Sequence, residues 1–334
     1  MARSAGCPDV ARGPSVVTSG VTTEASRPCL VAILGPTATG KSALGLALAQ
    51  RRNGEIVSCD STAVYRGFDI GTDKLPPGER RGIPHHLVDV ADPTERYSAA
   101  RFAREATAAI RDITARGHLP ILVGGTGLYY RALTRGLFPG PGRDEALRVR
   151  LARVARRRGV GCLHRMVARV DPASADRISP RDEMRLVRAL EVFMLTGRPL
   201  TDHFADTQSP LDDYRVVAFG LRVAPAHLAQ RIADRVARQF AGGLLGEIRR
   251  ALSAGVGEDA HPFGGLVYRQ ALEHLRGVRT ERETRELIVR ENLRYARRQL
   301  IWFRKEPNLR WIQLPGEHHD AVTTVLGALG DDST

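Results

Sequence analysis

Lysine is nearly missing from this chain. Among 334 residues and 50 basic side chains there are only Lys41, Lys74 and Lys305, and arginine supplies the rest. Where arginine is the default cation, a lysine inside a glycine-bounded turn marks a place that needs a compact point charge on a flexible stem, not a planar fork. Cysteine is scarce too: Cys7, Cys29, Cys59 and Cys162 lie far apart with no C-x-x-C pair, which argues against a zinc cage or a disulfide framework and fits a reducing cytoplasm. No apolar run approaches the ~18 residues needed to span a bilayer, so no membrane partner is expected. Residues 1–27 lack the unbroken apolar centre of a secretion signal and are read as a disordered leader.

What is abundant is positive charge. A net charge of +13 and a pI near 10.4 set up a field that draws polyanions, nucleic acid being the commonest, although an arginine-rich proteome accounts for such a surplus equally well. Apolar runs "LVAIL", "EIVS", "HLVDV", "PILVGG" and "VVAFGL" alternate with helix-period segments, the pattern of an α/β chain whose parallel sheet is buried on both faces. From 139 to 213 the strand signal stops and arginine-rich helical text takes over. We therefore divide the chain into a catalytic core (28–138 and 214–315), an inserted all-helical subdomain (139–213) and a flexible acidic tail (316–334).

The stretch "LVAILGPTATGKSALGLALA" carries the sharpest chemical signal. Gly35, Gly40, Lys41 and Ser42 complete G-x-x-x-x-G-K-[ST] after a strand and at the opening of a helix. In such a turn the backbone amides of Gly35, Pro36, Thr37, Ala38, Thr39 and Gly40 curl around an anion; proline, which has no N–H, contributes shape alone. The helix N-terminus adds partial positive charge, Lys41 reaches an outer phosphate, and Ser42 offers an oxygen to a metal ion. The next strand ends at Asp60, which should face the same crevice because ligands of open α/β sheets sit at the carboxyl ends of strands. That carboxylate either binds metal or takes a proton, or else caps a turn. Thr126, in the Gly-Gly-Thr-Gly turn after "ILV", either reaches the crevice or completes a plain turn. His85, His86 and Asp89 are given structural roles, since adjacent strand residues point to opposite faces. Tyr65 and Tyr268 fit nucleic-acid contacts and buried hydrogen-bonded positions equally, and Trp302 and Phe303 are assigned to the core.

Taken together, "GPTATGKS", "DSTAVYRGFDIGTDK", "HHLVDV", "YSAARF", "ILVGGTGLYY", "RLVRALEVFMLTGRPL" and "RRQLIWFRK" stand in the order and spacing of the tRNA dimethylallyltransferases, a resemblance running from about Leu30 to Leu314. It implies a P-loop NTPase-like parallel sheet flanked by helices. It implies transfer of a dimethylallyl group from its diphosphate to N6 of adenosine 37 in the tRNA anticodon loop, with Mg²⁺ as cofactor held through Ser42, and with pyrophosphate released. By the same resemblance Asp60 is the base, Thr126 orients it or the amino group, Lys41 and Arg235 hold the diphosphate, and Asp60, Ser61, Thr62, Ala63, Thr126, Arg148, Arg185, Arg188, Tyr268 and Arg269 meet tRNA. Arg153, Arg156, Arg157 and Arg158 thicken the positive field. The expected enzyme is a cytoplasmic monomer.

The chain departs from the family at Ala63, where glutamine is usual, at Val267, where glycine is usual, at Arg181, where asparagine is common, and in "NLRYARRQ", which lacks the usual Thr-Arg opening. These positions belong to the tRNA-reading periphery, so altered tRNA choice is an open reading. A P-loop small-molecule kinase, an isopentenyltransferase acting on free AMP, ADP or ATP, and an RNA-binding protein with a degenerate site are the rival classes.

Overall fold

The computed structural model describes residues 27–138 and 140–330; the expected leader lies outside these residues except for Arg27. Six strands form one sheet: β1 (Cys29–Leu34), β2 (Gly54–Cys59), β3 (His85–His86), β4 (Leu119–Gly124), β5 (Arg215–Leu221) and β6 (Leu309–Ile312), in spatial order β3-β2-β4-β1-β5-β6. Every pair is parallel. The near-continuous apolar strands follow from this, since both faces are covered. Val31 and Ile33 point into one core with Leu44, Leu48, Ile121, Phe219 and Val325, whereas Leu30, Ala32 and Leu34 point into the other with Val57, Phe102, Ile110, Leu122 and Phe303.

Around the sheet pack α1 (Lys41–Arg51), α2 (Ala99–Ala115), α3 (Gly127–Thr134), α9 (Pro225–Ala241), α10 (Leu244–Ser253), α11 (Leu266–Leu275) and α12 (Glu281–Phe303). The longest, α12, opens on a reciprocal capping box between Thr280 and Glu283, which satisfies amides the first turn leaves unpaired. The excursion from the sheet holds α4 (Glu145–Arg158), α5 (Val160–Val170), α6 (Pro172–Arg177), α7 (Glu183–Thr196) and α8 (Leu200–Ala205). Asp144, Asp171 and Asp182 cap α4, α6 and α7 by accepting from the backbone N–H groups of Leu147, Ser174 and Arg185. These helices enclose a core of their own around Leu151, Leu163, Val167, Leu186 and Leu190.

Three expectations need correction. "HLVDV" is not a full strand: pairing stops after His86 because Leu87 (φ 60°) and Asp89 (φ 58°) turn left-handed, and Asp89 leaves to bind the buried ammonium of Lys74 at 2.5 Å. A sixth strand, β6, adds to the edge of β5 where only helix and coil were expected. The acidic tail is also not simply flexible. Residues His319–Leu329 form α13, which buries Ala321, Val322, Val325 and Leu329 in the α1-side core. The acidic flanks obscured a short apolar stripe at helical spacing.

Candidate active site

Register brings the chemistry together. Leu34 and Cys59 both pair with Gly124, so β1, β2 and β4 end level and release their loops into one cleft. Beyond β1, Gly35 takes φ 138°, and a Cβ there would press on the Leu221 carbonyl. Gly40, at φ 86°, is the left-handed cap from which α1 starts. Inside the turn, buried Thr39 Oγ1 donates to Pro36 O at 2.9 Å and Lys41 Nζ donates to the same carbonyl at 2.6 Å. Burial lowers the Lys41 pKa to about 8, against the opposing pull of the Asp60 carboxylate. Ser42 is exposed to the cleft.

The outer rim of the turn is held by α9. Arg235 Nη1 donates to Thr37 Oγ1 at 2.6 Å while its Nε stands 3.3 Å from Asp73 Oδ2. One turn earlier, Arg231 Nε donates to Ala38 O at 2.6 Å and its Nη2 to Glu317 at 2.5 Å. The cleft measures about 1680 Å³, and its lining includes Lys41, Ser42, Asp60, Arg235, Tyr295 and Gln299.

Asp60 caps the local turn and also lines the cleft. Its Oδ1 caps the local turn, accepting from Thr62 N (2.8 Å), Thr62 Oγ1 (2.6 Å) and Ala63 N (3.3 Å). Its Oδ2 makes no hydrogen bond among the described residues, and the side chain lines the cleft. One oxygen is therefore fixed by the backbone and the other is available to a ligand. Thr126 does not touch Asp60 directly: Thr126 Oγ1 accepts from Ser61 N at 3.1 Å and donates to Ser61 Oγ at 3.4 Å, tying the Asp60 loop to the start of α3. Neighbouring Cys59 is buried and its thiol pKa is pushed far up by burial, so it is no nucleophile.

The other residues marked from sequence are scattered more widely. Ser61, Thr62 and Ala63 line the cleft beside Asp60. Tyr268 is buried, donates to Glu247 at 2.6 Å and accepts from Gly71 N at 3.0 Å, so its side chain braces the 68–72 loop. Arg269 on α11 and Arg185 on α7 are exposed, as are Arg153, Arg156, Arg157 and Arg158. Arg148 and Arg188 instead converge on Glu191, which is fully buried; Arg148 grips it with two 2.7 Å hydrogen bonds and Arg188 with one of 2.6 Å. Burial raises the Glu191 pKa, but these hydrogen bonds and one from Asp144 N override it and hold the carboxyl at about 2. Arg148 and Arg188 therefore share a structural pairing inside the helical excursion. Arg148→Ala should cost about 2 kcal/mol or more of stability, because it strips a buried carboxylate of its bidentate partner. Thermal unfolding checks this, and an unchanged melting temperature would remove the structural role.

His85 and His86 behave as structural residues: His85 Nδ1 meets Ile83 O at 2.8 Å, and His86 Nε2 meets buried Glu55 at 2.7 Å. Sequence reasoning missed Tyr295, Gln299, Arg231 and Glu317. Tyr295 and Gln299 lie four residues apart on α12, one turn of a helix, so both can face the cleft. Burial, then the nearby Asp60 carboxylate, raise the Tyr295 pKa to about 12. Gln299 was visible in "RRQLIWFRK", but no periodicity indicates that its amide reaches the phosphate turn.

A level row of loops at the carboxyl ends of a parallel sheet, with a half-buried lysine in a phosphate turn on the same cleft as a half-free carboxylate, defines an α/β transferase or kinase of P-loop NTPase-like fold. Comparison narrows this. The profile of the IPP transferase family matches residues 63–306. A tRNA dimethylallyltransferase of Solibacter usitatus is 50% identical over 85% of this chain and 92% of its own length, and one of Geobacter metallireducens is 46% identical over 89% and 96%. The crystal structure of the tRNA isopentenylpyrophosphate transferase of Bacillus halodurans superposes with a TM-score of 0.67 at 37% identity, over 91% of this chain and 96% of that one. A eukaryotic dimethylallyltransferase caught acting on tRNA superposes at 0.69 with 26% identity, over 86% and 74%. The chain belongs to the IPP transferase family and is a prenyl transferase.

Proposed function

We propose that this chain transfers a dimethylallyl group from dimethylallyl diphosphate to N6 of adenosine 37 in tRNA, giving N6-isopentenyladenosine and pyrophosphate. The observation that carries the reading is the single cleft shared by Lys41 and the free oxygen of Asp60: one end suits a departing diphosphate, the other a proton acceptor. As the allylic C–O bond breaks, negative charge grows on the diphosphate, where Lys41, the turn amides and the N-terminus of α1 oppose it. As the new C–N bond forms, the adenine amino group loses a proton, and Asp60 Oδ2 is the acceptor. Thr126, through Ser61, keeps that carboxylate from swinging. The exposed arginines at the end of α4, with Arg185 and Arg269, supply phosphate contacts that offset the few kcal/mol of unstacking the base.

The residues present suit Mg²⁺. Ser42 gives a hard oxygen donor on the cleft beside the phosphate turn, and no group of three or more His, Cys, Asp or Glu among the described residues forms a protein-only cage. Mg²⁺ ordinarily takes one or two protein oxygens and completes its shell with water and substrate phosphate. When bound it would neutralise charge on the departing diphosphate. The same reading has the protein working as a cytoplasmic monomer; among the described residues no helix is long and apolar enough to cross a membrane.

The test is label transfer from radioactive dimethylallyl diphosphate, with tRNA, AMP and ATP as parallel acceptors. Label in tRNA alone is the expected result; label in AMP or ATP alone would reassign the acceptor, and ATP consumption without transfer would point to a kinase. The Lys41 pKa adds a pH signature. Because the ammonium is lost as pH rises through about 8, donor affinity should hold below that pH and fall above it. A Lys41→Arg variant, whose guanidinium stays charged, should lack that fall beyond the donor's own ionisation. Parallel profiles for the two would remove Lys41 as the titrating group.

A further inference from the structure

Thr37 is held by two side chains that come from far along the sequence. Arg235 takes its hydroxyl, and Gln299 Oε1 accepts its backbone N–H at 2.9 Å. The other end of the same amide, Gln299 Nε2, donates to Gly125 O at 2.9 Å. The two bonds fix the orientation of the amide without ambiguity, since an N–H needs an oxygen and a carbonyl needs a donor. Gln299 is buried, and Gly125 has no room for a side chain because an added Cβ would overlap Gln299 Nε2. A single amide thus spans the gap between the loop after β1 and the loop after β4.

We propose that Gln299 is a positioning residue for the diphosphate: it fixes the entrance of the phosphate turn to the β4 loop, and so holds the following amides and Lys41 in their anion-accepting arrangement. The proposal rests on the donor reading above. Its physical basis is that the turn has a left-handed residue, Ala38 (φ 61°), directly after Thr37, a conformation that side-chain-bearing residues adopt only when their surroundings impose it. Without the Gln299 bond the Thr37 N–H loses its partner, and the turn is free to relax away from the shape that receives phosphate. Because Gln299 sits one helical turn beyond Tyr295, the helix that lines the acceptor half of the cleft also braces the donor half.

Pyrophosphate binding to the full chain in Mg²⁺, read by titration calorimetry, tests this without requiring turnover. Gln299→Met keeps the volume and removes both hydrogen bonds. Gln299→Glu keeps an acceptor for Thr37 N but sets an oxygen against Gly125 O and adds negative charge. Gly125→Ala displaces the amide from the opposite end and leaves Gln299 in place. Pyrophosphate affinity should fall by about tenfold in Gln299→Met and Gly125→Ala and by more in Gln299→Glu, with tRNA affinity unchanged and with donor KM raised more than kcat is lowered. If Gln299→Met does not fold, Gly125→Ala carries the comparison. Wild-type pyrophosphate affinity in folded variants, alongside a Lys41→Ala protein that has lost it, would overturn the role of Gln299 and leave the donor reading intact. Absence of Lys41-dependent pyrophosphate binding in the wild type would overturn both.

Discussion

Lys41→Ala is expected to lower kcat/KM for dimethylallyl diphosphate by about a thousandfold, the scale of removing a preorganised donor from a site where charge develops. The lysine is half-buried on the cleft, held at Pro36 O, and set where an ammonium bears directly on the mouth of the turn. The desolvation that lowers its pKa also strengthens its field, because the surrounding protein screens a charge less than bulk water does. The loss should fall on both donor affinity and kcat, since the same charge binds the ground-state diphosphate and stabilises the leaving group. Steady-state kinetics with tRNA saturating separates the two. A variant within about tenfold of wild type would show that the turn amides and Arg235 suffice, and the role given to Lys41 would be withdrawn.

Asp60→Asn should cost about 10²–10⁴ in kcat and leave pyrophosphate affinity close to wild type. The asymmetry of the carboxylate makes this substitution informative. Asparagine can still present Oδ1 to Thr62 N and Ala63 N, so the turn survives, while the oxygen that faces the cleft becomes an NH₂ group unable to take a proton. Asp60→Ala would remove both functions and confuse local unfolding with lost chemistry. The paired measurement is kcat with tRNA and pyrophosphate binding without it; wild-type kcat in Asp60→Asn would eliminate the base.

What the sequence reveals of this molecule follows the range of its interactions. The phosphate turn, Asp60 and the parallel sheet are local patterns: apolar runs of strand length, glycine at a left-handed position, an acid at a strand end. They are legible in the text and stand where they were expected. Long-range pairings are not legible in this way. Gln299 meets the phosphate turn from 262 residues downstream, and Glu317 meets Arg231 from 86. Arg148 and Arg188 show the same limit, because an arginine on an amphipathic helix carries no local mark of whether it also reaches a buried acid such as Glu191. Val267 and Tyr268, which depart from or match the family pattern at the periphery, are both largely buried at the edge of the cleft, a placement that no local pattern in the sequence signals.

The central claim is that one cleft joins a diphosphate turn to a base aimed at adenine. Its most direct test is mass spectrometry of nucleosides and of ribonuclease fragments from unmodified tRNA incubated with the protein, Mg²⁺ and dimethylallyl diphosphate. The account predicts N6-isopentenyladenosine confined to the fragment bearing adenosine 37, and its absence with Lys41→Ala or Asp60→Asn over the same interval. An unmodified tRNA, or the modified nucleoside at other adenosines with both variants as active as wild type, would contradict it.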